Sequence, residues 1–351
     1  MNDLEHPLLE VLIATYNRPN RAINAVESCL KLEDDRILVS CNSNGREEKL
    51  LFLENFHPRL RFGYFETNQG PNKNWGKLLR ESRAKFSLLL SDEDTIDPDL
   101  LLELLIWLET NNRISVANVG VLNTDKSVYY EPNRFFEELD LKKTLKLFSE
   151  QTGYLSGYIF NNLYLKKIDL DFYIKESPGN VYGHVNLAHK LLAYGNHGLF
   201  SKFVVIKGVD DKLGGHAYEH ATDEKEVNLS KLNPDVYGSY ARAFQFYYMQ
   251  NIIRKSFPDL TNWQLLFFDL DLLISFYEAS INGNTNCGQN VNVFIEVKRA
   301  KSNASNTGVF SRTFTSYIFL YLFKFNLGFL VKAFKIILNK YRMFLITFVY
   351  S

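Results

Sequence analysis

FSLLLSDEDTIDPD, residues Phe86 to Asp99, opens as a short apolar run and closes on acids. Phe86 to Leu90 has the length and flanks of a fully buried strand. Ser91 follows, then three carboxylates in a row: Asp92, Glu93 and Asp94. Asp97 suits a helix N-cap and Pro98 the first helical position. The acids therefore fall at the carboxyl end of a buried strand, where open α/β sheets bind ligands. Asp92 and Asp94, at alternate positions, suit one hard divalent cation that also grips a diphosphate. A solvated acidic turn is the other reading of so short a motif.

Upstream, apolar and β-branched runs predict strands at Leu9–Thr15, Ile37–Cys41 and Leu60–Phe65. Helical spacing is read over Arg21–Leu32, Glu47–Phe56, Asn72–Ser82 and Leu100–Glu109. Strands alternating with helices imply a mostly parallel sheet with helices on both faces. No G-x-G-x-x-G follows the first strand, which argues against a dinucleotide fold of the common kind. Downstream, strands are read at Ile114–Leu122, Ser127–Tyr130, Tyr154–Phe160 and Phe203–Ile206, and helices at Leu139–Phe148 and Val181–Ala193. Gly208–Glu226 is a polar, Gly-rich loop, and Pro234–Asn282 is helical throughout.

The chain has 351 residues, enough for one large domain with an appendage. Its formal net charge is zero, so no global bias toward nucleic acid is visible. That zero hides an asymmetry. From Val297 onward there are nine basic residues and no acidic one, so the rest carries 31 basic against 40 acidic. A basic, aromatic tail on an acidic body points to an anionic surface as partner. Cys29, Cys41 and Cys287 form neither a metal pattern nor a disulfide framework. The opening residues show no basic region leading into an apolar core and cleavage site, so a cytoplasmic protein is expected.

Three motifs, VLIATYNRP at 11–19, NQGPNKNWGKLL at 68–79 and LLLSDED at 88–94, resemble in order and spacing the family-2 glycosyltransferases of the GT-A fold. The combination of G-P-x-x-N with L-L-S-D-E-D is also similar to the abequosyltransferase-like branch that builds O-antigen and capsule. The resemblance covers the first hundred residues well and the next hundred weakly. It implies a GT-A-type, Rossmann-like domain at 1–226, with a nucleotide-sugar half at about 1–112 and an acceptor half at about 113–226. A helical extension at 227–283, a polar linker at 284–312 and a basic amphipathic helix at 313–351 would follow.

In that family the segment Thr15, Tyr16, Asn17 and Arg18 holds the nucleotide's base and ribose; a strand-ending turn served by Asn17 is the alternative. Relatives carry an Asp after the second strand, whereas this chain has Cys41-Asn42-Ser43-Asn44. Asn42 can still pair with a base edge, although the departure leaves the base open. Asn68, Gly70 and Asn74 match the third motif. Gly70 would allow close backbone approach or a positive φ, and Asn74 would bind donor or merely cap and pack. By resemblance Asp94 is the metal ligand, for Mn2+ or Mg2+, and Asp92 faces the ribose or the metal's water shell. An inverting transfer needs a base. His184 falls where relatives place an Asp, and Glu176 in the preceding loop is its rival. His216 and His220 are candidate later ligands to the metal.

Ser316–Val349 is strongly apolar, but lysines and an arginine interrupt it, and no uncharged run approaches the ~18 residues of a span. On a continuous helix, Lys324, Gly328, Lys332, Lys335, Asn339 and Arg342 fall within about 80° of one another. Such a basic stripe suits a membrane interface, the alternative being a helix packed on the protein's own body. The expectation is a metal-dependent, inverting enzyme. It would move a sugar from a nucleotide-diphosphate sugar, UDP-sugar favoured, to a lipid-linked saccharide at the inner face of the membrane. Two other classes stay open: a catalytically silent, membrane-associated nucleotide-sugar-binding protein, and a sugar nucleotidyltransferase. The latter would carry a Gly-rich basic loop where Tyr16-Asn17-Arg18-Pro19 stands.

Overall fold

The structure is a computed structural model. It describes residues 7–111, 113–131, 154–174, 182–208, 239–258, 292–306 and 314–325, with shorter pieces between 265 and 277 and between 327 and 333. The chain divides into two compact units, residues 1–177 with 183–232, and residues 178–182 with 233–351.

The first unit is built on one sheet. β1 (Leu9–Thr15), β2 (Ile37–Ser43), β3 (Leu60–Tyr64) and β4 (Phe86–Ser91) lie parallel in the order β3-β2-β1-β4. Between them run α1 (Pro19–Leu30) and α2 (Pro71–Glu81). β5 (Thr95–Ile96) and α3 (Pro98–Thr110) follow the acids. Asp97 caps α3, its side chain accepting from the N–H groups of Asp99 and Leu100, as its sequence position predicts. β6 (Ile114–Asn123), β7 (Val128–Tyr130), β8 (Tyr158–Asn161) and β9 (Asn196–Lys207) complete the sheet. β8 inserts antiparallel between β4 and β6, and β9 lies parallel to β6. α4 (Asn162–Leu165), α5 (Leu170–Ile174) and α6 (Gly183–Leu191) connect β8 to β9.

The core explains the register. Leu9, Val11 and Ile13 of β1, Phe86, Leu88 and Leu90 of β4, and Val39 and Cys41 of β2 all point into one buried cluster. A one-residue slip would carry the whole set to the sheet's other face. The parallel pairing Ala14↔Ser91 then sets the ends of β1 and β4 side by side.

Two first-unit elements differ from the sequence reading. The segment predicted as a helix over Glu47–Phe56 is a 3-10 helix at Glu48–Asn55. Its buried residues are Leu50 and Leu53, three apart, the spacing that suits three residues per turn. The last strand, read as Phe203–Ile206, is twelve residues long because β6 supplies a partner along most of it. The helix read at Leu139–Phe148 lies outside the described residues.

The second unit is helical: α7 (Ser239–Ser256), α8 (Val293–Asn306) and α9 (Phe314–Lys324), with further helical residues between 265 and 277. The region expected as a polar linker, 284–312, therefore contains α8. Its buried residues include Val297, Ala300 and Ala304, at helical spacing, and its polar residues have partners: Asn303 donates to the Tyr240 hydroxyl, and Arg299 lies over that ring.

The tail expected as a basic amphipathic helix at 313–351 packs on the helical unit where it is described. Phe319 stacks on Phe246 of α7 at 4.2 Å, and Thr315 and Ser316 bond to Gln250. α9 ends at Lys324, and neither Phe325 nor Leu327 is helical, so Lys324 and Gly328 do not share one continuous wheel. Gly328 instead faces Tyr277, where a Cβ would come within 2.9 Å of the hydroxyl. No helix among the described residues is long and apolar enough to cross a membrane.

Candidate functional site

The carboxyl ends of β1, β2 and β4 meet at one edge of the sheet, and every described polar residue singled out from the motifs before residue 100 lies there. Asn17, with φ +55°, turns the chain sharply after β1; Asn tolerates that conformation better than most side chains. The turn returns Arg18 toward the acids. Its guanidinium forks onto Asp92, with Nη2 at 2.6 Å from Oδ1 and Nε donating at 3.2 Å to Oδ2. Thr15 donates to the same carboxylate at 2.6 Å. Arg18 also reaches Glu93 at 2.8 Å.

Asp94 faces the other side. It accepts from the Tyr154 hydroxyl at 2.8 Å, from Ser156, and from the Gly208 N–H at 2.9 Å. β5 pairing with β9 is what brings Gly208 there. A Cβ on Gly208 would stand 1.9 Å from the Glu93 carbonyl oxygen, so the close approach requires glycine. Lys207 sits over the rings of Tyr129 and Tyr154, themselves 4.9 Å apart edge to face.

Both aspartates are fully buried. Burial pushes each carboxyl up to about 6. Arg18 and Thr15 pull Asp92 back down, as Ser156, the Gly208 N–H and Tyr154 do for Asp94. Burial, with Asp94 beside it, raises the Tyr154 phenol far above its ordinary range.

The asparagines form a buried cluster. Asn42 donates to Asn74 at 2.7 Å and accepts from Lys77 at 2.8 Å. Asn74 donates to the carbonyls of Thr15 and Asn42. Asn44 donates to Asn68 and accepts from the Gln69 N–H, and Asn68 accepts from the Gly70 N–H. Gly70 has φ +86° and opens α2, a conformation that suits glycine. In this arrangement Asn42 spends both amide hydrogens inside the protein, on Asn74 and on the Ser43 carbonyl. Tyr16 stands near the turn at Gly45.

His184 begins α6 and is buried, edge to face with Tyr158 at 5.2 Å. Glu176, His216 and His220 lie outside the described residues.

A divalent cation is the group this fold implies. Asp92 fits it poorly as a direct ligand, because Arg18 and Thr15 already hold its carboxylate. Asp94 fits as one hard oxygen ligand, with three donors against about four lone-pair positions. No cluster of three or more His, Cys, Asp or Glu side chains able to hold a metal occurs among the described residues. Sequence reasoning missed Tyr154, Ser156, Gly208, Lys77 and Asn44. Tyr154 and Ser156 carry no local signal and reach Asp94 across sixty residues.

Comparison with known proteins supports the resemblance carried by the motifs at this edge. Residues 10–171 match the family model "Glycosyl transferase family 2". The crystal structure of S. aureus TarS 1-349 superposes with a TM-score of 0.57 at 14% identity, over 84% of this chain and 80% of that one. The same protein in complex with UDP-GlcNAc, and in complex with UDP, superposes at 0.58 with the same identity and coverage. No curated protein matches the sequence. The chain is a glycosyltransferase of the GT-A fold, and residues 10–171 are the part that is similar to glycosyl transferase family 2.

Proposed function

We propose that the protein transfers a sugar, with inversion, from a UDP-sugar to a lipid-linked saccharide in cell-surface polysaccharide synthesis. It would work while attached peripherally to the inner face of the membrane. The observation that carries this reading is the meeting of Thr15, Arg18, Asp92 and Asp94 at the edge shared by β1 and β4. The family match and the nucleotide-bound TarS structures support the donor class.

In this reading Thr15 to Arg18 receive the nucleoside, and Asp92, locked by Arg18, presents a fixed face to the ribose. Asn42, Asn68 and Asn74 hold the strand ends in register, and Gly70 lets the chain approach the donor. Asp94 contributes one ligand to Mn2+ or Mg2+, with His216 or His220 as further proposed ligands. When bound, the cation neutralises charge on the leaving diphosphate. His184 takes the acceptor hydroxyl's proton, with Glu176 as its rival.

Calorimetric titration with UDP, with and without Mn2+, tests the donor site; absence of UDP binding under both conditions would sink it. His184→Ala should lower transfer about 10²–10⁴-fold while UDP affinity stays within a few-fold, and unchanged turnover would move the role to Glu176. The second reading, a silent binding protein, draws on one observation: the described donors already hold both aspartates inside the protein. Assays of donor hydrolysis and transfer separate the two.

A further inference from the structure

The end of the second unit has two unlike faces. The inner one is core: Phe319, Leu322 and Val331 are buried, and Phe319 packs on Phe246 and Tyr247. The outer one is a line of rings. Tyr317, Tyr321 and Phe325 follow each other at intervals of four, Tyr321 stacking on Phe325, and Phe329 lies beyond the end of α9; they are 41%, 47%, 57% and 65% exposed. Two ammonium groups attend them: Lys301 of α8 lies 4.1 Å over Tyr317, and Lys324 lies over Tyr321 and Phe325. Single exposed apolar residues need no explanation, but a contiguous row marks an interaction site.

We propose that this ridge is the surface on which the protein lies against an anionic lipid leaflet. The inference deepens the peripheral attachment proposed above and is independent of the transfer chemistry. Three observations select lipid as the occupant. Exposed Lys324 and half-buried Lys301 lie over the rings, the pairing that an interfacial helix presents to headgroups and acyl chains together. The sequence from Val297 onward has nine basic residues and no acidic one, complementary to an anionic leaflet. The ridge is a single line, whereas a stable protein interface needs about 1,200–2,000 Å² in total. The row also changes chemically along its length. Tyrosines, amphipathic, suit headgroup depth; the phenylalanines at the other end are the more exposed and enter deepest. Because the inner face is core, the ridge is a fixed edge of the helical unit and not a detachable appendage.

The test uses the full chain and vesicles of phosphatidylcholine, with or without about one-third phosphatidylglycerol. The wild type should sediment with the anionic vesicles. Phe325→Ser with Phe329→Ser should weaken that binding at least about tenfold. Lys301→Gln and Lys324→Gln should each weaken it about fivefold and flatten its salt dependence. Phe329→Trp should add emission that shifts to the blue on vesicles, a readout that does not depend on how well the serine variant folds. Wild-type sedimentation by the serine variant, or no blue shift, overturns the proposal. So does a wild-type dimer that the serine variant splits, which would make the occupant a second copy of the chain. UDP titration of the same samples reports on the donor site separately.

Discussion

At the scale of the residue, Asp94 is the position on which the metal chemistry turns. Alanine there would strand the donors of Tyr154, Ser156 and Gly208, so the informative change is Asp94→Asn, which keeps the shape and removes the charge. UDP binding should then lose its dependence on Mn2+, as calorimetry would show, while the fold persists. The raised carboxyl also sets a pH dependence. Below about 6 the group is protonated, so the Mn2+-dependent part of UDP affinity should fall about tenfold per pH unit. Affinity unchanged between pH 7 and pH 5 would count against Asp94 as a ligand. The acids were legible in the sequence because a buried strand and a helix cap bracket them within fourteen residues. Their partners were not, because an isolated Tyr or Ser announces nothing about a carboxylate sixty residues away. The asparagines were legible as positions, but their side-chain pairing with one another was not: a motif identifies residue types and leaves open whether an amide faces a ligand or its neighbour.

At the scale of the element, the readings succeeded where one physical signal dominated. β1, β2 and β4 are runs buried on both faces, and α3 carries its own cap and an initial proline. They failed where tertiary partners override local composition. The stretch holding α8 reads as linker because it is polar and rich in Asn and Gly, yet Val297, Ala300 and Ala304 bury a narrow stripe and Asn303 finds Tyr240. The tail reads as an amphipathic helix because a basic stripe interrupts a broad apolar surface, and hydropathy cannot tell an apolar face that packs from one that stays outside. Phe319→Ala should therefore cost about 3–5 kcal/mol in the helical unit, measured by denaturant unfolding. Truncation after Thr313 should leave Phe246 and Tyr247 uncovered and broaden or abolish that unit's unfolding transition. A cooperative transition of unchanged midpoint would return the tail to the status of an appendage.

At the scale of the whole molecule, buried titrating groups pull in opposite directions. Asp92 and Asp94 sit at about 6 in the fold, above the unfolded value near 3.8, so the native state binds more protons and gains stability as pH falls from about 6 toward 4. His189 and His197, buried and pushed down to about 4 and about 3, do the reverse: the unfolded chain takes up protons first, and stability is lost as pH falls below 6.5. Each shift is worth on the order of 3 kcal/mol. The wild-type stability profile should be shallow between pH 6 and 4, and Asp94→Asn should steepen its acid limb; parallel curves in urea unfolding would refute the balance. The asparagine cluster has a different consequence, one of chemical ageing. Asn44-Gly45 is a dipeptide that loses its amide readily in a loose chain. Here the Asn44 side chain is held at both ends, by Asn68 and by the Gln69 N–H. Storage of the folded protein should therefore spare this pair, whereas time spent unfolded should convert it to a carboxylate. Asn68 could not accept from that carboxylate, and the repulsion between the two oxygens would lock the damaged chain out of its native edge on refolding. Peptide mapping after matched incubations in buffer and in urea would reveal the difference.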